Sequence, residues 1–336
     1  MSIEITFYPR SASREELTGL LYELGYSTSD HILDWPEGSR HFSWYRSDDF
    51  VSFDGVEATV YPCSETASVP VGEWLLHTRT RVAASIGDRE HQNATIRTAR
   101  QRFGGWFDND ASGKNRYIRI EPDGRDAVAR GIFLSYSHVS EQLSALRYAL
   151  PNPNAQLEGL IGTKLAPLAA VDPTRVLYNA LFPFAVAAIE HFFSQCFKIM
   201  LRYDADAQAK LAKQNKKVEM EDVYAIRDGT RTIEDVVAEW YSFQSVASIH
   251  SACIDWLGID FRGLLRRRKK VGRKLPVLEN RLQQMIEFRH GIVHRFSLDF
   301  GLRKPDIEET LETVQVLLDL FVEEVERRRA VPIRDR

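Results

Sequence analysis

The hydrophobic periodicity of this chain changes near residue 150. Before that point apolar and polar residues alternate in short runs, as from Ile3 to Tyr8, which is the period of half-buried strands. Beyond residue 173 apolar residues recur every three or four positions, which is the period of amphipathic helices. The run Leu150-Pro151-Asn152-Pro153 separates the two patterns, because prolines end helices. The sequence therefore predicts an α+β domain over residues 1–150, a linker over 151–172 and an all-α helical bundle over 173–330.

Turn and capping residues place several elements within the first domain. Asp54-Gly55 predicts a two-residue hairpin between strands over residues 50–53 and 56–61. A polar helix is expected from about Asp88 to Phe103, and a strand from Arg116 to Glu121. This half of the chain resembles no family.

Long apolar stripes predict the helices of the second domain. From Pro173 to Tyr203 apolar residues recur at helical spacing, and Pro173-Thr174 marks the start of that helix. Asp306-Ile307-Glu308-Glu309 predicts the capped start of a last helix. The same periodicity predicts three helices between these two, over residues 205–217, 233–257 and 275–293.

Composition excludes several classes of protein. Cys63, Cys196 and Cys253 are far apart and form no C-x-x-C pair, so neither a zinc cluster nor a disulfide framework is indicated. Such cysteine usage fits a reducing compartment, and a cytoplasmic location is predicted. The longest apolar run, Leu177 to Leu201, contains Glu190 and Lys198, so no membrane span is predicted.

The segment Glu287-Phe288-Arg289-His290-Gly291-Ile292-Val293-His294 places an arginine and two histidines in an otherwise helical pattern. Arg289-x4-His294 resembles the R-x4-6-H motif of the HEPN family. Two flanking stretches are similar to the family's preceding helices: Ala187-Ala188-Ile189-Glu190-His191-Phe192-Phe193, and Phe243 through Trp256-Leu257-Gly258-Ile259-Asp260. The similarity covers residues 173–328, about half of the chain.

The resemblance implies an all-α HEPN-like bundle and metal-independent ribonuclease activity without a cofactor. It also implies that two copies dimerise and form a composite cleft. RNA is the expected substrate, and the family suggests a prokaryotic toxin or phage-defence effector, with an antitoxin or regulatory partner. The first domain would then sense a trigger, bind the target or restrain the nuclease.

The motif residues suit RNA cleavage by internal transesterification. A histidine can take the 2'-hydroxyl proton and return a proton to the leaving oxygen, and His294 is the candidate for this role. The guanidinium of Arg289 can stabilise the negative charge of the phosphorane. His290 is a candidate for substrate contact, whereas Glu190 and Glu287 either orient these groups or form simple buried polar pairs.

Helical geometry restricts how the two principal residues act together. Five residues correspond to about 500° on a regular helix, so the side chains of Arg289 and His294 diverge by roughly 140°. They converge only if the helix distorts near Gly291, or if two protomers pool their motifs across an interface.

Two other interpretations of the motif remain open. Glu287, His290 and His294 share one helix face and are metal-ligand types, although three ligands this close on one helix seldom surround a single ion. Alternatively, Arg289 and His294 only satisfy polar groups in the core of the bundle.

A basic segment precedes the motif and is a candidate for RNA phosphate binding, although a solvated loop would have the same composition. Between Asp260 and Glu279 the chain has no acidic residue. The predicted RNA-binding residues are Arg266, Arg267, Arg268, Lys269, Lys270, Arg273 and Lys274, and Arg262 adds an eighth base. The leading functional prediction is therefore a metal-independent endoribonuclease. The alternative is a catalytically inactive HEPN module that binds RNA or a partner and acts as a dimerisation scaffold.

Overall fold

The computed structural model describes residues 2–30, 35–46, 49–63, 73–81, 83–121, 123–163, 169, 172–272 and 274–334. The chain forms two compact units, Met1–Gly124 and Arg125–Arg336, here called the N-terminal and C-terminal units. The first contains a sheet and two helices, and the second is helical. The predicted order of an α+β part followed by a helical part is confirmed.

The N-terminal unit is built on a six-stranded sheet with the order β2-β3-β4-β5-β1-β6, in which all neighbouring strands are antiparallel. The strands are β1 (Ser2–Tyr8), β2 (Ser27–Thr28), β3 (Arg40–Trp44), β4 (Val56–Pro62), β5 (Trp74–Arg81) and β6 (Trp106–Asn109). The helices are α1 (Arg14–Glu23) and α2 (Ile86–Phe103).

The core of this unit lies between the sheet and the two helices. Leu17 of α1 and Ile96 of α2 are fully buried in one cluster with Ile5, Phe7 and Leu76 of the central strands. Burying each such side chain stabilises the fold by about 1.5–3 kcal/mol. The alternation predicted from Ile3 to Tyr8 therefore agrees with β1, in which Ile5 and Phe7 are buried.

The predicted hairpin at Asp54-Gly55 is wrong. Strand β3 pairs directly with β4, and Trp44 lies opposite Val56, so residues 50–53 belong to a loop. The carboxylate of Asp88 is fully buried and accepts hydrogen bonds from the backbone amides of Phe53 at 3.0 Å and Asp54 at 3.2 Å. These amides bind a side chain in α2 and are not available to a strand partner.

The predicted strand from Arg116 to Glu121 is also wrong. The strand in this region is β6, which pairs with β1. Asn93 of α2 holds the backbone of Ile118 through its side-chain amide, with both hydrogen bonds at 2.9 Å. A buried amide thus replaces the ladder that a strand would have formed.

Replacing Asp88 with alanine is expected to lower the free energy of unfolding by about 2–4 kcal/mol. The change removes the acceptor for Phe53, Asp54 and the Ser85 amide at 2.9 Å, which also caps α2. Urea unfolding followed by tryptophan fluorescence measures the loss. Glu90→Ala, at an exposed position of the same helix, is the control and should change stability by less than about 0.5 kcal/mol. Equal effects of the two substitutions would contradict the capping role.

The C-terminal unit contains ten α-helices among its described residues. They are α3 (Ala127–Ala149), α4 (Ala155–Thr163), α5 (Pro173–Tyr203), α6 (Ala205–Leu211), α7 (Met220–Arg227), α8 (Ile233–Ala238), α9 (Val246–Ala252), α10 (Phe261–Leu265), α11 (Leu278–Arg295) and α12 (Lys304–Arg329). Helix α9 continues into one wide π-helical turn, Cys253–Leu257.

Helix α5 is central to this unit and contacts α3, α8, α11 and α12. It is the one helix within the described ranges that is long and apolar enough to cross a membrane, with a mean hydropathy of 1.4 in its most apolar window. Buried core helices meet the same criterion, and Phe192, Phe193 and Phe197 of α5 are each at most 2% exposed in the bundle.

Two boundaries differ from the predictions. The chain divides at Gly124, not near residue 150, because α3 packs against α5 and α12 and belongs to the helical unit. The predicted helix over residues 233–257 is interrupted after Ala238. The next helix, α9, begins at Val246. Ser245 is its N-cap, and the Ser245 hydroxyl accepts a hydrogen bond from the amide of Ser248.

Candidate functional site

The predicted motif lies in the last two turns of α11. Leu282, Met285 and Ile292 form the buried side of this helix. Phe288 adds an edge-to-face contact with Phe182 of α5, with ring centroids 4.6 Å apart. The apolar spacing of the sequence therefore fixes which motif residues face the bundle and which face solvent.

Arg289 lies on the flank of α11 that faces α5, where its side chain is only 19% exposed. Its guanidinium is 3.7 Å from a carboxylate oxygen of Glu190, whose side chain is 18% exposed. Burial raises the pKa of Glu190, and the charge of Arg289 partly opposes this rise.

The contact between Arg289 and Glu190 is an ion pair without a hydrogen bond. The distance of 3.7 Å exceeds the usual hydrogen-bond range, and the Oε1 atom of Glu190 has no hydrogen-bond partner. Within the described part of the chain no carbonyl or carboxylate accepts from the Arg289 guanidinium either. Glu190 therefore positions the positive charge of Arg289, and the N–H groups of that guanidinium stay available to an anion.

His290 and His294 lie on the solvent-facing side of α11. Both are exposed, and their ring centroids are 4.4 Å apart. Glu287 lies on the same strip and accepts a hydrogen bond of 2.9 Å from Gln283. Although these three residues share a face, no group of three or more potential metal ligands among the described residues could hold an ion. The metal interpretation therefore gains no support.

Helix α11 continues without a break from Leu278 to Arg295, and Gly291 neither ends nor widens it. Arg289 and His294 consequently diverge by roughly 140°, the value for a regular helix. One protomer presents its arginine at the α5 flank and its histidine at the solvent side. The two side chains do not form a complete site within one copy of the chain.

Two buried polar residues of α5 hold the connection that follows α11. The side chain of Asn179 accepts from the amide of Asp299 and donates to the Asp299 carbonyl, with both bonds at 2.9 Å. The guanidinium of Arg175 donates to the carbonyl of Phe300 and, at 2.8 Å, to Glu158 of α4. Sequence analysis missed both residues. Their signal was the presence of polar side chains four positions apart within the apolar pattern of α5.

Most of the basic segment is paired with acidic side chains. Lys274 lies 2.8 Å from Glu309 of α12, and Arg266 lies 3.2 Å from Glu279 of α11. Three further contacts join Arg262 to Glu279 at 3.7 Å, Arg267 to Glu324 at 3.6 Å and Lys269 to Glu323 at 3.5 Å.

Two predicted RNA-binding residues, Arg268 and Lys270, have no acidic partner within the described ranges, and Arg268 is exposed. Arg273 lies outside the described residues. The positive charges of the segment are therefore partly neutralised by glutamates of α11 and α12. Fewer of its side chains are free to bind phosphate than its composition indicates.

No protein-family model, curated protein or solved structure matches this chain. The resemblance to the HEPN family accordingly rests on Arg289-x4-His294 and on the helices that flank it.

Replacing Asn179 with alanine is expected to lower the free energy of unfolding by about 2–4 kcal/mol. The loss arises because the amide of Asp299 loses its partner in a partly buried position and the Asp299 carbonyl keeps only the amide of Leu302 as a donor. Thermal unfolding monitored by circular dichroism measures it. Ala180→Ser at the next, exposed position of α5 serves as the control. A stability unchanged by Asn179→Ala would show that the connection after α11 does not depend on this side chain.

Proposed function

We propose that the C-terminal unit is a HEPN-type, metal-independent endoribonuclease. The observation that carries the proposal is the arrangement on α11: an arginine with unused N–H groups beside Glu190, and an exposed histidine pair, His290 and His294, one and five residues after it. These are the groups needed to bind a phosphate and to move a proton at neutral pH.

The reaction needs only side-chain chemistry. His294 removes the proton of an RNA 2'-hydroxyl, and that oxygen attacks the adjacent phosphorus. Arg289 stabilises the negative charge that gathers on the nonbridging oxygens. The bond from phosphorus to the 5'-oxygen breaks, and the leaving oxygen takes a proton from the histidine. The products are a 2',3'-cyclic phosphate and a free 5'-hydroxyl, while His290 contacts the substrate.

A second copy of the chain completes the site in this proposal. Helix α5, which carries Glu190, also exposes two large apolar side chains seven residues apart, with Leu177 at 48% and Phe184 at 58% exposure. Val293 of α11, 50% exposed, extends the apolar surface towards His294. Burying this surface against a second copy would bring the arginine of one protomer near the histidine of the other.

The cellular role is part of the same proposal. An RNA-cleaving protein of this kind would act in the cytoplasm as a toxin or phage-defence effector. The N-terminal unit would sense a trigger, bind the target RNA or restrain cleavage, and a separate antitoxin or regulatory partner would act on the nuclease. The role of the N-terminal unit is inferred from the order of the two units, and the toxin or phage-defence role from the resemblance to the HEPN family.

The second candidate is a catalytically inactive scaffold that binds RNA or a partner. It is favoured by the neutralisation of most of the basic segment and by the separation of Arg289 from His294 on one regular helix. Both candidates predict dimerisation, and they differ in the fate of bound RNA.

Cleavage of total RNA and tRNA in the presence of EDTA tests the enzyme. The parent protein is expected to cut RNA and leave cyclic-phosphate ends, whereas Arg289→Ala and His294→Ala should each lower the rate by about 100-fold or more. End-group analysis of the products identifies the chemistry. Arg147→Ala, at an exposed position of α3, is the control and should retain the parental rate. RNA binding without cleavage would favour the scaffold, and cleavage that requires a divalent metal would reject the mechanism.

Mixing the two inactive variants tests whether the site is composite. In an Arg289→Ala/His294→Ala heterodimer, the intact His294 of one chain meets the intact Arg289 of the other. Equal mixing should therefore restore up to about a quarter of the parental activity, because half of the dimers carry one intact site of two. The rate of the mixture measures this directly. Adding Phe184→Asp to both chains should abolish the recovery by preventing dimerisation, whereas a mixture no more active than either variant alone would contradict a shared site.

A further inference from the structure

A cavity in the C-terminal unit is independent of the motif helix and of the basic segment. Its volume is about 380 Å³, within the range of about 300–1,000 Å³ that is usual for small-molecule sites. Helices α3, α5, α6 and α12 and the π-helical turn contribute its walls. The principal apolar lining residues are Ile132, Met200, Trp256, Phe321 and Val325.

The π-helical turn shapes one side of this cavity. Wide turns of this kind are rare and often occur at functional sites, because they displace side chains from regular helical positions. Trp256 in the turn is fixed by a 2.7 Å hydrogen bond from its indole nitrogen to the hydroxyl of Tyr241. Gly258 ends the turn with a φ of 66°, a conformation that glycine adopts without strain. The cavity wall is therefore formed by a side chain held in place.

Two positively charged side chains, Lys210 and Arg328, line the rim of the cavity. The ammonium group of Lys210 donates to the carbonyls of Asp255 at 3.0 Å and Trp256 at 3.1 Å. The guanidinium of Arg328 donates to the carbonyl of Gly258 at 2.7 Å. Because these carbonyls lie within four residues of one another, both positive charges are anchored to the same turn.

Both cations keep donors for a ligand. An ammonium group has three N–H donors and a guanidinium has five, so the bonds to the turn leave part of each unused. Arg328 also donates to Glu324 at 2.8 Å, but the Glu324 side chain is only 4% exposed and is shared with Arg327. The adjacent arginines lower the pKa of Glu324 to about 2.

The other charged residues that line the cavity are Arg329, Asp204 and Asp206. Arg329 is held between Asp126 at 2.8 Å and Asp204 at 2.7 Å, so its charge is already neutralised. Asp206 contributes a further negative charge to the lining. Anion binding at this site therefore depends on Lys210 and Arg328.

We propose that this cavity binds an amphiphilic monoanion. The apolar body of the ligand fills the space beside Met200 and Trp256, and its carboxylate binds Lys210 and Arg328 at the rim. A ligand without an acidic group would form no ion pair with the two cations, whereas a small inorganic anion would leave the apolar walls hydrated. The combination selects a carboxylate attached to an alkyl or aryl body.

Titration of the full-length protein with straight-chain carboxylates tests the proposal. Hexanoate, octanoate, decanoate and dodecanoate are added below their micelle concentrations, and binding is followed by the indole resonance of Trp256, identified with Trp256→Phe. Affinity should rise roughly fourfold for each added methylene and level off once the cavity is full. The Trp240 resonance should stay in place. A rise without a plateau would indicate nonspecific adsorption and overturn the proposal, as would the absence of any shift at Trp256.

Variants separate the two parts of the site. Lys210→Gln and Arg328→Gln should each weaken decanoate binding by about tenfold and leave binding of decanol unchanged, whereas Lys213→Gln, outside the lining, should change neither. Val325→Phe should remove binding of both ligands by filling the cavity. Leu257→Phe, at the half-exposed end of the π-helical turn, repeats the test if Val325→Phe does not fold. Unchanged decanoate binding in the rim variants would contradict the proposed role of the two cations.

Discussion

The two hydrogen bonds between the Asn179 side chain and the backbone of Asp299 fix the position of the motif helix. They satisfy an amide that would otherwise be unpaired and add a second donor to the Asp299 carbonyl, so the connection after α11 has one favoured position on α5. The Glu190–Arg289 ion pair is a second tie to the same helix. Asn179 and Glu190 are eleven positions apart on α5, a rise of about 16 Å along the helix. Two contacts at this spacing restrain the direction of α11 as well as its position.

The charges of the basic segment are used largely within the fold. Eight phosphate contacts would give a strong dependence of RNA binding on salt, with a logarithmic slope of about −6 for a single strand, whereas two contacts give about −1.4. The pairs formed with Glu279, Glu309, Glu323 and Glu324 move this segment towards the lower value. In the proposed nuclease, binding energy for RNA would then come largely from Arg289, from the histidine pair or from surfaces contributed by a second copy.

Periodicity predicted those elements whose stability comes from apolar burial. The predicted start and end of α5 agree with the structure, and α11 lies within three residues of its predicted range. Prediction failed where side chains bind the backbone: Asp88 prevents a hairpin at Asp54-Gly55, and Ser245 starts a new helix within a predicted one. Such bonds join residues whose proximity depends on the tertiary fold.

The residues of the candidate site likewise divide into those that local sequence reveals and those that only the tertiary fold reveals. The motif residues were found because an arginine and two histidines interrupt an otherwise apolar helical pattern, and Glu190 was found from the resemblance of its helix to the HEPN family. Arg175 and Asn179 were missed, since their role requires the position of residues more than a hundred places further along the chain. The neutralisation of the basic segment was missed for a similar reason, because most of its acidic partners lie on the later helix α12.

In the proposed dimer, association would affect the chemistry in two ways. It would supply the histidine that one regular helix cannot place beside its own arginine. It would also cover the exposed Phe184 and Leu177 of α5 and lower the access of water to this side of the helix. Electrostatic attraction between a guanidinium and a phosphate strengthens as the local dielectric constant falls, so the burial that joins two copies would also strengthen the contact with the transition state. A monomer would lack both contributions, and activity would then depend on protomer concentration as well as on the motif residues.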